Sequence, residues 1–142
     1  MSKKLISINI VSQRGTIYRT NAKIINLRGE NGEMGISYGH SQLLSTIPPS
    51  IIRIEQNTTK DVLYISGGII EVQPDQVIVL ADEMEQAKNL DKIVAENDKL
   101  NAESLIRKAK DVSIFELKEA KRALAEAEAR LLALKVFSEW TS

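Results

Sequence analysis

The chain has 142 residues with 19 basic and 19 acidic side chains, one histidine and no cysteine. This length allows one ordinary domain, or a domain of about 80 residues with an appendage. The balanced charge disfavours nucleic-acid binding, which usually requires a basic excess, and the lack of cysteine excludes disulfides, thiolate metal sites and a cysteine nucleophile.

The first part of the chain consists of short apolar runs separated by turn residues. Ile6, Ile8 and Ile10 occupy alternate positions, which predicts a strand with one buried face. Residues 16–19 and 23–27 are interpreted as two further short strands. Turn signals recur about every 8–12 residues, a spacing typical of an antiparallel sandwich or barrel. We therefore predict an antiparallel β-sandwich of eight to ten strands.

Residues 63–82 form the clearest part of this pattern. Gly67-Gly68 and Pro74-Asp75 divide the segment into three short strands rich in β-branched residues. After Asp82, Pro and Gly no longer occur, and Ala, Glu, Lys and Leu dominate. This change predicts a β domain over residues 1–85 and a helical region over residues 86–142.

The second part predicts a two-helix antiparallel hairpin. Asn89 or Asp91 can cap a helix that runs to about Lys108. Ser113 and Glu116 form a capping box for a second helix. That helix carries a narrow apolar seam of Leu117, Ala120, Leu124, Ala127, Leu131 and Leu134. Because such a hairpin buries little surface by itself, we expect it to pack on the β domain or on a partner.

Three sequence segments resemble one known family. Gly32–Ile36 (GEMGI), with the Gly39-His40 and Leu43-Leu44 pairs that follow, is similar to the motif GE(L/M)GI..GH..LL. Residues 64–74 (YISGGIIEVQP) are similar to Y(I/L/V)SGG.(L/I)EVQP, and residues 77–82 end in the family's VLAD. In this order and spacing, with a helical hairpin behind, they resemble the epsilon subunit of bacterial F-type ATP synthases over essentially the whole chain.

The resemblance implies a flattened ten-stranded β-sandwich followed by two C-terminal helices. It also implies a non-catalytic subunit of the rotor's central stalk that binds the gamma subunit, contacts the c-ring and couples proton translocation to ATP synthesis. Its helices are expected to extend into the alpha/beta catalytic hexamer and inhibit ATP hydrolysis. The expected location is peripheral, on the cytoplasmic face of the bacterial inner membrane, with membrane contact only through the complex.

The resemblance implies a c-ring contact in the loop around residues 28–40. Glu33, Tyr38 and His40 are the candidate contact residues. Tyr38 stands where the family motif YPGH has proline, which changes the stiffness of the loop. The alternative is that the glycines of this loop only form turns and that His40 only satisfies local hydrogen bonds.

The resemblance also implies a basic face on the second helix that meets acidic surface of the catalytic hexamer. The candidate residues are Lys118, Lys121, Arg122 and Arg130. The alternative is an ordinary solvated helix face.

Some bacterial members bind ATP on the hairpin through a motif (I/L)DxxRA. In this chain Val94 replaces the motif arginine, and valine cannot donate hydrogen bonds to phosphate. Glu83, Asp91 and Arg122 are the remaining candidates for nucleotide contact. We therefore expect no cofactor, and weak ATP binding if the hairpin binds ATP at all.

Two other functions remain open from the sequence: a free-standing β-sandwich adaptor that presents its hairpin to a helical partner, and an ATP-sensing module. Catalysis by the chain alone is disfavoured, since no triad or metal-ligand spacing is present. The carboxylates Asp82, Glu83 and Glu85 fall in a predicted linker, where we expect them to be solvated.

Overall fold

The computed structural model describes residues 4–141, except for the side chain of Ala109. Within that range, nine strands are followed by two long helices. The strands are β1 (Ile6–Ser12), β2 (Ile17–Gly29), β3 (Gly32–Ile36), β4 (Leu43–Ile47), β5 (Ser50–Gln56), β6 (Lys60–Ile65), β7 (Gly68–Val72), β8 (Gln76–Ala81) and β9 (Met84–Gln86). The helices are α1 (Lys92–Arg107) and α2 (Ile114–Trp140), each preceded by a short 3₁₀ turn, Ala87–Asn89 and Ala109–Asp111.

The strands pair in the order β4-β7-β8-β1-β2-β5-β6-β9, and β3 pairs with β2. All pairs are antiparallel except β1 with β8, which run parallel with Ser7 opposite Gln76. The first half of β2 pairs with β1, and its second half lies between β5 and β3. The structure confirms the predicted β-sandwich followed by a helical hairpin.

One strand prediction was wrong. Residues 16–19 and 23–27 were predicted as two strands, but residues 17–19 and 23–27 belong to the single 13-residue strand β2. The register of β2 against β5 shifts between Ala22 and Ile24. A bulge of this kind bends a strand without ending it, so β2 passes from one half of the sandwich to the other as one element.

The core of the sandwich follows from the alternation of apolar residues. Ile6, Ile8 and Ile10 are fully buried, as the period of two predicts. Full burial of such a side chain contributes roughly 1.5–3 kcal/mol. The opposing core residues include Ile25, Leu27, Ile36, Ile52, Ile54, Leu63, Ile65, Ile70, Val77 and Val79.

Gly68, where β7 begins, allows a close approach of two strands. A Cβ atom on this residue would lie 2.1 Å from the carbonyl oxygen of Leu80. Gly67, just before it, has a φ of 121°, which side chains rarely tolerate. The glycine pair predicted as a turn therefore also permits β7 to pack against β8.

Both helix starts are capped as predicted. The Asp91 carboxylate accepts hydrogen bonds from the amides of Ile93 and Val94, and the Ser113 hydroxyl accepts one from the amide of Glu116. α1 buries only Ala95 and Ala102. In α2, Ala120 and Ala127 of the predicted seam are buried, together with Ala129 and Ala133. Neither α1 nor α2 is long and apolar enough to cross a bilayer.

Candidate functional site at the junction of sandwich and hairpin

The C-terminal half of α2 packs on β5 and β6 through an apolar cluster. Val62 and Tyr64 from β6 meet Ala129 and Ala133 from α2, and all four are buried. We call these residues the docking cluster, together with the partly buried Ile51, Leu90, Val136, Phe137 and Trp140 that pack against it. The cluster fixes the hairpin in its folded-back position.

Trp140 marks the end of α2 and is the one tryptophan of the chain. The Nζ atom of Lys60 lies 5.2 Å from the centroid of its ring, a cation–π geometry. The fluorescence of Trp140 therefore reports whether the hairpin is docked.

Arg130 joins the docking cluster to charged residues. Its Cζ atom lies 4.7 Å from the centroid of the Tyr64 ring, and its Nη2 atom is 3.7 Å from Oε2 of Glu83. Oε1 of the same glutamate is 2.9 Å from Nη2 of Arg14, in the β1–β2 turn. Glu83 thus bridges an arginine of the sandwich and an arginine of the hairpin.

Arg122 makes the second charged contact across the junction. Its Nη2 atom is 3.4 Å from Oδ2 of Asp82, and its Nε atom donates to Oε1 of Glu126 at 3.1 Å. The hydrogen bond and charge of Glu126 raise the pKa of the Arg122 guanidinium further above its ordinary value. We call Asp82 and Glu83 the junction acids.

The backbone of the junction acids is held by the segment before β7. The amide of Glu83 donates to the Ser66 hydroxyl at 2.7 Å, and the amide of Asp82 donates to the Gly67 carbonyl oxygen at 3.0 Å. Both acids were expected to be solvated in a linker; their side chains are 44% and 37% exposed, and they also pair with arginines. The pairs with Arg122 and Arg130 form because α2 folds back over the β8–β9 connection, whereas the pair of Glu83 with Arg14 lies within the sandwich.

Tyr64 has a buried hydroxyl group. The residue is only 1% exposed, and its Oη atom has no hydrogen-bond partner among the described residues. Burial raises the pKa of Tyr64 well above its usual range; Arg130 opposes this effect, while Glu126 and Glu83 add to it. The junction therefore contains one polar atom whose hydrogen bonding is incomplete.

The four predicted basic residues of α2 occupy two different environments. Arg122 and Arg130 contact the junction acids, whereas Lys118 and Lys121 are exposed. Lys118, Lys121 and Arg122 follow one another at i, i+3 and i+4 on α2, so the predicted basic face stays a prediction, and Arg130, at 21% exposed, is the member that docking largely covers.

The candidate nucleotide residues are also not gathered at one cavity. Glu83 and Arg122 line a cleft of about 340 Å³ together with Arg14 and Asp82. Asp91 does not line it and instead caps α1. Across residues 4–141, no cluster of three or more histidine or acidic residues could hold a metal ion.

The candidate c-ring residues lie at two ends of β3. Glu33 is near its start, and the extended backbone puts about 10 Å between Glu33 and Ile36, with Tyr38 and His40 beyond. Tyr38 is 43% exposed, and Nδ1 of His40 donates to the Ser41 carbonyl oxygen at 2.8 Å. Tyr38 and His40 thus share one loop, and Glu33 is separate from them.

An exposed apolar row, which was not predicted from the sequence, crosses the outer face of the sheet. Ile69 lies opposite Leu80, Leu80 opposite Val11, and Val11 opposite Ile17. The exposed fractions are 46% for Ile69, 57% for Leu80 and 55% for Ile17. We call these four residues the outer apolar row. The signal for it was the unbroken apolar run VIVL in β8, which is apolar on both faces.

Comparisons with known proteins agree with this fold. Residues 5–87 match the model of the family described as ATP synthase, Delta/Epsilon chain, beta-sandwich domain. The chain is 42% identical over 134 residues to the ATP synthase epsilon chain of Francisella philomiragia, an alignment that covers 94% of this chain and 92% of that protein. The epsilon chain of Francisella tularensis subsp. tularensis gives the same identity and coverage.

Solved structures show the same architecture. A chain of the Euglena gracilis mitochondrial ATP synthase (OSCP/F1/c-ring) superposes with a TM-score of 0.79 at 20% identity, covering 94% of this chain and 84% of that chain. A chain from the central stalk and c-ring of the Tetrahymena thermophila enzyme gives a TM-score of 0.60 at 12% identity, covering 94% and 99%. At these identities the superpositions establish the fold alone. From the family-model match and the bacterial relatives, the chain belongs to the ATP synthase epsilon chain family and is a subunit of that complex.

Proposed function

We propose that the chain is a non-catalytic rotor subunit in the central stalk of an F-type ATP synthase, where it helps couple proton translocation to ATP synthesis. In this role the sandwich is attached to the gamma subunit and the c-ring. The subunit is peripheral, on the cytoplasmic face of the bacterial inner membrane, and meets the membrane only through the complex.

The observation that carries the proposal is the outer apolar row. Ile69, Leu80 and Ile17 lie on β7, β8 and β2, with Val11 of β1 between Leu80 and Ile17, and all three turn away from the core. A contiguous exposed apolar surface on a soluble domain marks a protein interface. We assign this surface to the gamma subunit, because a rotor subunit needs a broad, rigid contact with the shaft that it turns with.

The loop that carries Tyr38 and His40 is assigned to the c-ring. The amide of Gly39 in this loop donates to the Pro74 carbonyl oxygen at 2.7 Å, which ties the loop to the β7–β8 turn. Tyr38 also lies beneath Lys4, whose Nζ atom is 5.1 Å from the ring centroid. Glu33 takes part only if the contact extends along β3.

The hairpin is assigned a regulatory role. Docked on the sandwich, α2 keeps Arg122 and Arg130 at the junction acids. Extended, α2 brings these arginines and Lys118 and Lys121 to acidic surface of the alpha/beta hexamer, where they inhibit ATP hydrolysis. A hairpin with two alternative packing surfaces responds to anything that favours one of them. The hairpin needs no cofactor for this role.

The assignment of the gamma contact is tested by replacing Leu80 with aspartate. A charge in the middle of an apolar interface is left desolvated, so we expect Leu80→Asp to abolish stable co-purification with the gamma subunit. Leu100→Asp is the matched control, because Leu100 is 60% exposed on α1, away from the outer apolar row. Circular dichroism of the two isolated variants checks that both are folded.

Retention of gamma by folded Leu80→Asp contradicts the assignment of this surface. Failure of the unchanged chain to co-purify with gamma favours the adaptor function instead.

A further inference from the structure

The docked hairpin uses two of the basic residues that the proposed function assigns to inhibition. We propose that Asp82 and Glu83 are an internal competitor for these arginines, so that the sandwich itself limits how readily α2 reaches an acidic partner. This inference rests on the regulatory role proposed above. It concerns what sets the equilibrium between the docked and the extended hairpin.

The geometry makes the two engagements mutually exclusive for Arg130. Its side chain is only 21% exposed, packed between the Tyr64 ring and Glu83. A guanidinium held in this way cannot also face a carboxylate on another subunit. Release of Arg130 therefore requires the C-terminal half of α2 to leave the sandwich.

Arg122 is held less completely. Its side chain is 54% exposed, and it contacts Asp82 at 3.4 Å while Glu126 on the same helix takes its Nε–H. Glu126 moves with α2, so its contact with Arg122 is kept in both hairpin positions. Asp82 is the part of this arrangement that the sandwich contributes.

The two acids respond differently when the hairpin leaves. Glu83 keeps Arg14 at 2.9 Å, because both residues belong to the sandwich. Asp82 loses Arg122, its one ion-pair partner among residues 4–141. Arg14 therefore lowers the cost of releasing Arg130, and Asp82 opposes the release of Arg122.

The test removes the charges of the junction acids while keeping their shape, in the variant Asp82→Asn with Glu83→Gln. Partly exposed ion pairs contribute only modest stabilisation. We therefore expect the docking equilibrium to shift towards the undocked form by about three- to tenfold. Docking is measured in the isolated full-length chain by the emission of Trp140, which moves to longer wavelength when the indole becomes solvated. Added salt weakens docking of the unchanged chain and has less effect on the variant.

The control is Asp75→Asn with Glu85→Gln. This variant makes the same charge change at two exposed acids of the sandwich that pair with neither arginine. We expect its docking to equal that of the unchanged chain.

The second measurement is ATP hydrolysis by the complex reconstituted with each variant. If the junction acids compete for the arginines, the Asp82→Asn, Glu83→Gln variant inhibits hydrolysis more strongly, by about the same factor as the change in docking. Unchanged Trp140 emission overturns the inference and leaves the proposed function standing. Weaker docking without stronger inhibition also overturns the inference.

Failure of the regulatory role itself is recognised separately. Replacing Lys118, Lys121, Arg122 and Arg130 by alanine in the full-length chain then leaves hydrolysis unchanged in an intact complex, which overturns the proposed inhibition and the competition together.

Discussion

The guanidinium of Arg130 lies over the face of Tyr64, 4.7 Å from Cζ to the ring centroid. This contact joins β6 to α2 at a point where apolar packing gives way to ion pairs. Arginine suits the position because its flat, delocalised cation stacks on a ring and still presents N–H groups sideways to Glu83.

Arg130→Ala should weaken docking by about 1–2 kcal/mol, since both the ring contact and the ion pair are lost. Arg130→Lys should weaken it less, because an ammonium keeps a charge over the ring but lacks the planar stacking surface. Trp140 emission and proteolysis of the segment before α1 measure the change. Lys121→Ala is the control, since Lys121 is an exposed residue of the same helix. An equal effect in the control would mean that general helix charge, rather than this contact, holds the hairpin.

Tyr64→Phe should leave the free energy of unfolding unchanged or raise it by up to about 1 kcal/mol. The variant removes a buried hydroxyl that has no partner in the described structure, and loses no hydrogen bond there. Tyr18→Phe is the matched comparison, because the Tyr18 hydroxyl donates to Asp61 and accepts from Gln56 at 3.2 Å. The free energy of unfolding of that variant, measured in urea, should be about 1–2 kcal/mol lower than that of the unchanged chain. A comparable loss in Tyr64→Phe would indicate that an ordered water satisfies the Tyr64 hydroxyl.

The stability of the fold should fall in alkaline solution. Burial, together with the hydrogen bond and charge of Asp61, raises the pKa of Tyr18 well above its usual range, and burial does the same for Tyr64. A raised pKa means that the folded state holds these protons more tightly than the unfolded state. The contribution of the two protonated hydroxyls to the stability of the folded state is therefore complete below the ordinary tyrosine pKa of 10.0. It is lost as the pH rises above that value.

This pH dependence is measured by urea unfolding at about pH 8 and about pH 11. Tyrosinate absorbance should show that Tyr18 and Tyr64 ionise only as the chain unfolds. In the variant Tyr18→Phe with Tyr64→Phe, the free energy of unfolding should fall much less between these two pH values. Free ionisation of both hydroxyls in the folded chain near pH 10 would contradict the expected burial effect.

ATP should bind the isolated chain weakly or not at all, with no saturation below about millimolar concentration. Val94 is exposed in the first turn of α1 and offers phosphate no donor. Val94→Arg should increase ATP affinity in calorimetric titration, and Val94→Gln serves as an uncharged control of similar length. Micromolar binding by the unchanged chain would favour the ATP-sensing function.

Local features of the fold were predictable from the sequence, and long-range pairings were not. The Asp91 and Ser113 caps lie within three residues of the amides they serve, so their signal is contained in a short stretch. The bend in β2 depends on how β5 pairs with it. The pairing of Asp82 with Arg122 joins residues far apart in the chain, so no local sequence pattern predicts it.

The same contrast between local and long-range features holds for the two candidate contact surfaces. The loop that carries Tyr38 and His40 was predicted from a motif. The outer apolar row appears only when the registers of β1, β2, β7 and β8 are combined.

The parallel pairing of β1 with β8 has a consequence for synthesis of the chain. Ser7 of β1 pairs with Gln76 of β8. During synthesis, β1 therefore stays unpaired on this edge until β8, near the end of the β domain, has left the ribosome. Pairings of such sequence separation are slow to form, and until then β1 exposes an unpaired edge to other nascent chains. The helices emerge after the nine strands and meet a completed sheet, so the order of translation favours the folded-back hairpin as the first state of each new subunit.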